Sequence, residues 1–134
     1  MIVVDTNVLV YFYVPGEFSR AAARVYRRDK NWVAPTLWRS EFRNALLFNV
    51  RQGRIGEDLA HSIMVEALET MQWVEFEMDS RSVLNVAFQS GLSAYDSEFV
   101  ALADQLAVPL VTSDKKIIRL FPQIAVAMEE FAAG

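Results

Sequence analysis

The sequence predicts an α/β protein built on a parallel sheet of four to five short strands, with helices on both faces. Three observations predict it. The strand candidates are short, continuous apolar runs such as Ile2-Val3-Val4 and Pro109-Leu110-Val111-Thr112, the pattern of strands buried on both sides. They alternate along the chain with segments of helical period. No repeat, linker or Pro/Gly-rich break divides the 134 residues, which hold five Gly and four Pro, so residues 1–134 read as one domain.

The elements follow in order. Ile2-Val3-Val4 is a first strand ending at Asp5. Asn7 to Tyr13 is apolar and fits one or two helical turns before Pro15-Gly16 interrupts it. Ser19 suits the N-cap of a helix to about Arg28, with Ala22, Val25 and Tyr26 inward. Trp32-Val33-Ala34 is a second strand. Pro35 precedes a long helix, roughly Thr36 to Gln52, closed by Gly53. Gly56 opens a helix to about Met71, with Leu59, Ile63, Ala67 and Met71 spaced for one apolar face. Trp73-Val74-Glu75-Phe76 is a third strand, and Trp32, Trp38 and Trp73 fit core positions. Asp79 or Ser80 caps a helix over about Arg81 to Gln89, which Gly91 ends. Ser93 caps the next helix, to about Leu106. Pro109 to Thr112 is a fourth strand, Ile117 to Leu120 a short helical turn, and Ile124-Ala125-Val126 a fifth strand.

Composition narrows the chemistry. Hydrophobic residues make up 53% of the chain, which excludes a disordered tail. There is no cysteine, so disulfides, thiolate metal sites and cysteine nucleophiles are excluded. A single histidine disfavours a His-rich zinc site and a Ser-His-Asp triad; His61 itself sits mid-helix and reads as structural. Asp5 cuts off the apolar start that a signal peptide needs, and no apolar run has membrane-spanning length. A soluble cytoplasmic protein with no membrane partner is expected. The net charge of −4 alone argues mildly against a nucleic-acid partner. It splits unevenly, however: residues 1–54 carry nine basic and four acidic groups, and residues 55–134 carry four and thirteen.

Sites in open α/β sheets form beyond the carboxyl ends of the strands. Asp5 and Asp114 both stand there, and each alone also suits a turn or a helix cap. Glu41 shares a helix face with Asn44, Ala45 and Phe48, and is expected on a buried face. Asp96 shares one with Phe99, Val100 and Ala103. First-turn placement gives both acids an ordinary role at a helix dipole. Glu98 lies about 200° round the helix from Asp96 and reads as solvated or supporting. Four converging carboxylates would repel unless cations neutralised them. An all-oxygen set selects Mg²⁺ or Mn²⁺, whose matching chemistry is phosphodiester hydrolysis without a protein nucleophile.

Four segments together, Val3-Val4-Asp5-Thr6-Asn7-Val8-Leu9, Ser40-Glu41-Phe42-Arg43-Asn44-Ala45-Leu46, Tyr95-Asp96-Ser97-Glu98-Phe99-Val100-Ala101-Leu102-Ala103 and Val111-Thr112-Ser113-Asp114-Lys115-Lys116, resemble the PIN domain. Their order and spacing are similar to those of VapC-type toxins of toxin–antitoxin pairs. The resemblance spans about residues 1–120; Ser97 departs from it, at a position where Ala is more usual. It implies a three-layer α/β/α sandwich and a Mg²⁺- or Mn²⁺-dependent ribonuclease leaving a 5′-phosphate and a 3′-hydroxyl. By motif position, Asp5, Glu41, Asp96 and Asp114 would be the catalytic and metal-binding acids, with Asn7 and Thr112 supporting them. It also implies an RNA substrate, a homodimer, and an antitoxin whose C-terminal segment covers the acidic pocket with an Arg or Lys.

Other readings stand beside it. A catalytically silent module binding RNA or protein would keep the fold without needing all four acids. A metal-dependent phosphatase ranks lower, because Asp5-Thr6-Asn7 lacks the second Asp of the haloacid-dehalogenase pattern. Lys115, Lys116 and Arg43 are candidate phosphate contacts, and Arg20, Arg24, Arg27, Arg28 and Lys30 form a basic stretch that also fits a solvated face. Tyr11-Phe12-Tyr13 and Leu46-Leu47-Phe48 fit either the core or a partner surface.

Overall fold

The computed structural model describes residues 1–134. Five strands alternate with eight helices: β1 Ile2–Val4, α1 Thr6–Tyr13, α2 Ser19–Arg28, β2 Trp32–Pro35, α3 Trp38–Arg51, α4 Glu57–Met71, β3 Glu75–Phe76, α5 Ser80–Ser90, α6 Ala94–Leu106, β4 Leu110–Val111, α7 Lys115–Leu120, β5 Ala125–Val126 and α8 Met128–Ala133. All strand pairs are parallel, in the order β3-β2-β1-β4-β5. Helices flank the sheet, which gives the expected three-layer α/β/α sandwich.

The chain winds outward from β1 to β2 and β3, then returns to β4 and β5 on the other side. The direction of winding therefore reverses between β1 and β4. Connections diverge at such a switch point and leave a crevice at the carboxyl ends of the two strands. β1 is wholly buried because it is central: Ile2, Val3 and Val4 are at most 2% exposed. Their side chains have helices on both sides, so no polar alternation is needed. α6 packs on β1, β2 and β4, with α5 against it, and α4 packs on β2.

Several elements depart from the sequence expectation. β3 is only Glu75–Phe76, because pairing with β2 is confined to Ala34↔Glu75 and Pro35↔Phe76. Trp73 precedes it and is 84% exposed, so it is not a core residue. Leu59, in the first turn of α4, is also exposed, whereas Ile63, Ala67 and Met71 are buried as expected. Ser19 does not cap α2. The cap position is Phe18, and the Ser19 hydroxyl instead accepts from Gly16 N–H and donates to the Val14 carbonyl. Asp79 is the cap of α5, accepting from Ser82 N–H. α8 was not expected; it docks on α2 through buried Met128 and through Arg28, whose guanidinium lies 5.2 Å from the Phe131 ring centre.

One acid is structural. Glu75 accepts from Arg39 Nε and Nη2, each at 2.6 Å, and from the indole N–H of fully buried Trp38 at 2.7 Å. This ties the short edge strand β3 to the start of α3, and it holds the Glu75 carboxyl below its ordinary range, with the Arg39 hydrogen bonds as the main cause.

Candidate functional site

The crevice at the β1/β4 switch point is lined with acid. Asp5 leaves β1, Asp114 follows β4, Glu41 lies on α3 and Asp96 on α6, and all four border one cleft of about 530 Å³ with Thr6, Asn7 and Phe48. The order of the strands brings these four segments together.

Asp5 is the most fixed. Its Oδ1 accepts from Thr6 N–H at 2.7 Å, which also caps α1. Its Oδ2 accepts from the Thr112 hydroxyl at 2.7 Å and from the Asn7 amide at 3.3 Å. The Thr112 oxygen in turn accepts from Asp114 N–H at 3.0 Å, and the Asn7 carbonyl oxygen accepts from Ser113 N–H at 3.2 Å. Asn7 and Thr112 thus clamp the end of β1 to the end of β4. Asp114 Oδ1 accepts from Lys116 and Ile117 N–H, capping α7. Asp5 and Asp114 are helix caps and cleft residues at once.

Glu41 Oε1 accepts from the Thr6 hydroxyl at 2.7 Å. Its face of α3 is not the core face, as the sequence suggested. Trp38, Phe42 and Leu46 fill the core, whereas Asn44 and Phe48 are exposed and Ala45 only partly buried, forming a wall of the cleft. Asp96 lies in the first turn of α6, whose cap Ser93 accepts from Asp96 N–H at 3.1 Å. Ser97, beside it, is fully buried and donates to the Ser93 carbonyl.

The electrostatics are those of uncompensated negative charge. Burial pushes Asp5 up to about 6, against hydrogen bonds from Thr112 and Thr6 that lower it, and the charges of Asp96 and Asp114 add to the rise. Burial also raises Glu41 to about 6, helped by Asp5, Asp96 and Glu98. Asp96 is raised by burial and then by Asp114, with Ser93 and Lys116 opposing. The ion pairs of the chain join the N-terminus to Asp29 and Arg39 to Glu75, both outside the cleft.

The remaining candidates are placed less uniformly. Glu98 is half-buried and raises Glu41 without lining the cleft. Lys116 stands near enough to Asp96 to act on it; Lys115 is exposed. Arg43 is turned away and lines a separate groove between α3 and α4 with Leu46, Leu47 and Met64, because two helical positions rotate it by about 200° from Glu41. It does not reach the acids as a phosphate contact. His61 is exposed on α4. Thr6 was not singled out from the sequence, although a hydroxyl directly after Asp5 at the first helical position was the available signal.

No three of the acids stand together as a finished metal-ligand shell; they border an open cleft. The donor set still suits a hard cation. Every side-chain donor is oxygen, and Mg²⁺ is commonly held by one or two carboxylates with its remaining positions filled by water. The fold and the cleft define an α/β protein with an all-carboxylate site at the topological switch point of its sheet.

Comparison with known proteins agrees. Residues 2–121 match the PIN domain. The chain is 29% identical over 129 residues to Ribonuclease VapC3 of Pyrobaculum aerophilum, covering 92% of this chain and 96% of that protein. The crystal structure of PAE2754 from Pyrobaculum aerophilum has the same fold, with a TM-score of 0.78 at 22% identity over 98% of this chain and 93% of that one. FitAcB from Neisseria gonorrhoeae follows at a TM-score of 0.64 and 14% identity, covering 99% and 94%. The chain belongs to the PIN domain family. No helix in it is long and apolar enough to cross a membrane.

Proposed function

We propose that the chain is a Mg²⁺- or Mn²⁺-dependent endoribonuclease, the toxin of a toxin–antitoxin pair, and that it cuts RNA at the acidic cleft. The observation that carries this reading is that four carboxylates from four segments border one cleft with no ion pair to a cation of the chain. The relative named Ribonuclease VapC3 supports the same reading.

Asp5, Asp96 and Asp114 would hold the ion, with Glu41 at its edge. A divalent ion bound there supplies Lewis-acid polarisation of the scissile phosphate and makes an attacking water more acidic. The chain supplies the rest. Thr6 N–H, Thr112 and Asn7 fix the Asp5 carboxylate in one orientation. Glu41, oriented by the Thr6 hydroxyl and titrating at about 6, would take the water's proton near neutral pH. Lys116, close enough to Asp96 to act on it, would offset part of the repulsion between acids and RNA. No covalent protein intermediate is needed, in keeping with a chain that has no Cys.

The biological half of the proposal is a cognate antitoxin laying a basic side chain over the acids, a homodimer, and a cytoplasmic location. Exposed Leu47 on α3, which lines the groove against α4 with Leu46 and Met64, supplies apolar surface for protein contacts. The test is cleavage of a 5′-labelled structured RNA. Cutting is expected with Mn²⁺ or Mg²⁺, none with EDTA, and none with Asp5→Asn or Asp96→Asn. An Asp5→Asn protein that cuts at the wild-type rate overturns the mechanism.

A further inference from the structure

The acidic cleft does not end at the acids. Phe48 lies on its wall with 52% of its surface exposed. Seven positions after Glu41 on α3, it shares that residue's face about 10 Å further along the helix. Arg54 stands over it, the guanidinium carbon 5.5 Å from the ring centre, within cation–π range. The placement of Arg54 is fixed by the end of the helix. Gly53 takes a left-handed φ of 73°, which turns the chain back so that Arg54 N–H donates to the Asn49 carbonyl at 3.0 Å.

Arg54 also lines a second hollow, of about 510 Å³, which shares Val10, Tyr11 and Asn49 with the acidic cleft. The two hollows adjoin through these residues. Arg54 is the one cation lining either hollow. Glu17 lines the second hollow with it but makes no ion pair with it. A cleft that cuts a polyanion and whose charged lining residues are all carboxylates needs a cationic grip on the strand beside it. A half-exposed ring with a guanidinium over it that has no carboxylate partner is chemistry that fits a nucleotide: the open part of the ring stacks a base, and the guanidinium bonds a phosphate.

We propose that Phe48 and Arg54 form the subsite for an unpaired nucleotide flanking the scissile phosphate, with its base stacked on Phe48 and its phosphate held by Arg54. This rests on the ribonuclease reading and adds to it a single-stranded segment of substrate at a defined side of the cut.

The experiment measures binding. The full-length Asp5→Asn protein is titrated against a fluorescein-labelled single-stranded RNA octamer, read by anisotropy over a series of salt concentrations. Adding Phe48→Leu is expected to weaken binding by about 5- to 100-fold with the salt dependence unchanged. Adding Phe48→Tyr, which keeps the ring, is expected to bind like the parent and reports that the fold is intact. Adding Arg54→Gln is expected to weaken binding and to flatten the log–log salt slope by about 0.7. Octamers with an abasic site at the stacked position are expected to bind the parent weakly and the Phe48→Leu protein no more weakly still.

A parent that binds no octamer at low salt overturns the subsite. So does a Phe48→Leu, Arg54→Gln double variant that binds like the parent. Loss of binding with no abasic effect overturns it as well. The ribonuclease reading fails by a different result, the absence of Mn²⁺-dependent cleavage by the wild-type protein.

Discussion

Replacing Asp5 by Asn should abolish metal-dependent activity and at the same time make the metal-free protein more stable at neutral pH. Asp5 titrates at about 6 in the fold against an ordinary value of 3.8. Its folded value is the raised one, so the native state holds the proton more tightly than the unfolded chain does. Ionised Asp5 therefore opposes folding increasingly from about pH 4 upward, by about 3 kcal/mol at pH 7.5. That opposition shrinks as pH falls through 6 and is nearly gone near 4. Asn removes the charge but leaves a mismatch. Asp5 accepts from Thr6 N–H on one oxygen and from Thr112 and Asn7 on the other, so the new NH₂ must face a donor on one side. That offsets about 1–2 kcal/mol. A net gain of about 1–2 kcal/mol at pH 7.5 follows, or a rise in Tm of roughly 3–8 °C for a chain of this size. Thermal unfolding in EDTA, followed by circular dichroism, checks it at pH 7.5 and pH 4.5. At the lower pH the gain should be gone, leaving the two proteins equal or the wild type slightly more stable. Saturating Mn²⁺ should reverse the order at pH 7.5, because only the wild type gains binding energy, about 2.7 kcal/mol at a hundred times Kd. An Asp5→Asn protein no more stable than wild type at pH 7.5, or equally favoured at both pH values, refutes the reasoning.

Three further outcomes are expected. Thr6→Val removes the hydroxyl that Glu41 accepts from at 2.7 Å; the Glu41 carboxyl should titrate still higher, by up to about one unit, in a carboxyl-carbon NMR titration, and an unmoved curve counts against the contact. Glu75→Ala strands the buried Trp38 N–H and frees Arg39, so the urea midpoint should drop by the equivalent of about 1–3 kcal/mol, most of it from the stranded N–H because Arg39 is partly exposed, with Glu75→Gln losing less. Because the folded value of Glu75 is lowered, wild type should hold that contribution above the ordinary carboxylate range and lose it as pH falls through the folded value; a loss below about 1 kcal/mol for Glu75→Ala would contradict the contact. Trp73→Phe should change stability by no more than about 0.5 kcal/mol and shift fluorescence to the blue, since the remaining Trp32 and Trp38 are 4% and 0% exposed; unshifted emission would mean Trp73 is covered in solution.

The centre of the sheet was legible in the sequence because β1, β2 and β4 are runs of residues buried on both sides, and burial on both sides leaves a continuous apolar signature. β3 was overdrawn for the complementary reason. It lies at the sheet edge, where Trp73 has nothing to pack against, and a lone aromatic before a strand carries no mark of which side of the edge it falls on. α8 went unread because its burial comes from α2, a contact across more than a hundred residues that local periodicity does not encode. At the site, Asp5 and Asp114 were legible from their place after strands. The bordering of one cleft by Asp5, Glu41, Asp96 and Asp114 depends on the β1/β4 reversal, which follows from strand order. Arg43 and Glu41 are two residues apart, and helical rotation alone separates their destinations.

The two kinds of acid in this chain are treated in opposite ways, and the contrast bears on function. Glu75, which has only to join β3 to α3, is neutralised by a bidentate guanidinium. Asp5, far more buried than most carboxylates, is surrounded by a hydroxyl, an amide and a backbone N–H. Neutral donors fix an orientation without cancelling the charge, and the raised titration of Asp5 and Glu41 is the cost of leaving it uncancelled. An arginine at the position of Asn7 would relieve that cost and occupy the space a cation needs. A fold under selection for stability alone has no use for such an arrangement. One that must admit a divalent ion, and then a phosphate, requires its carboxylates to be held in place yet still charged. Polar side chains at the ends of β1 and β4 do that without closing the cleft.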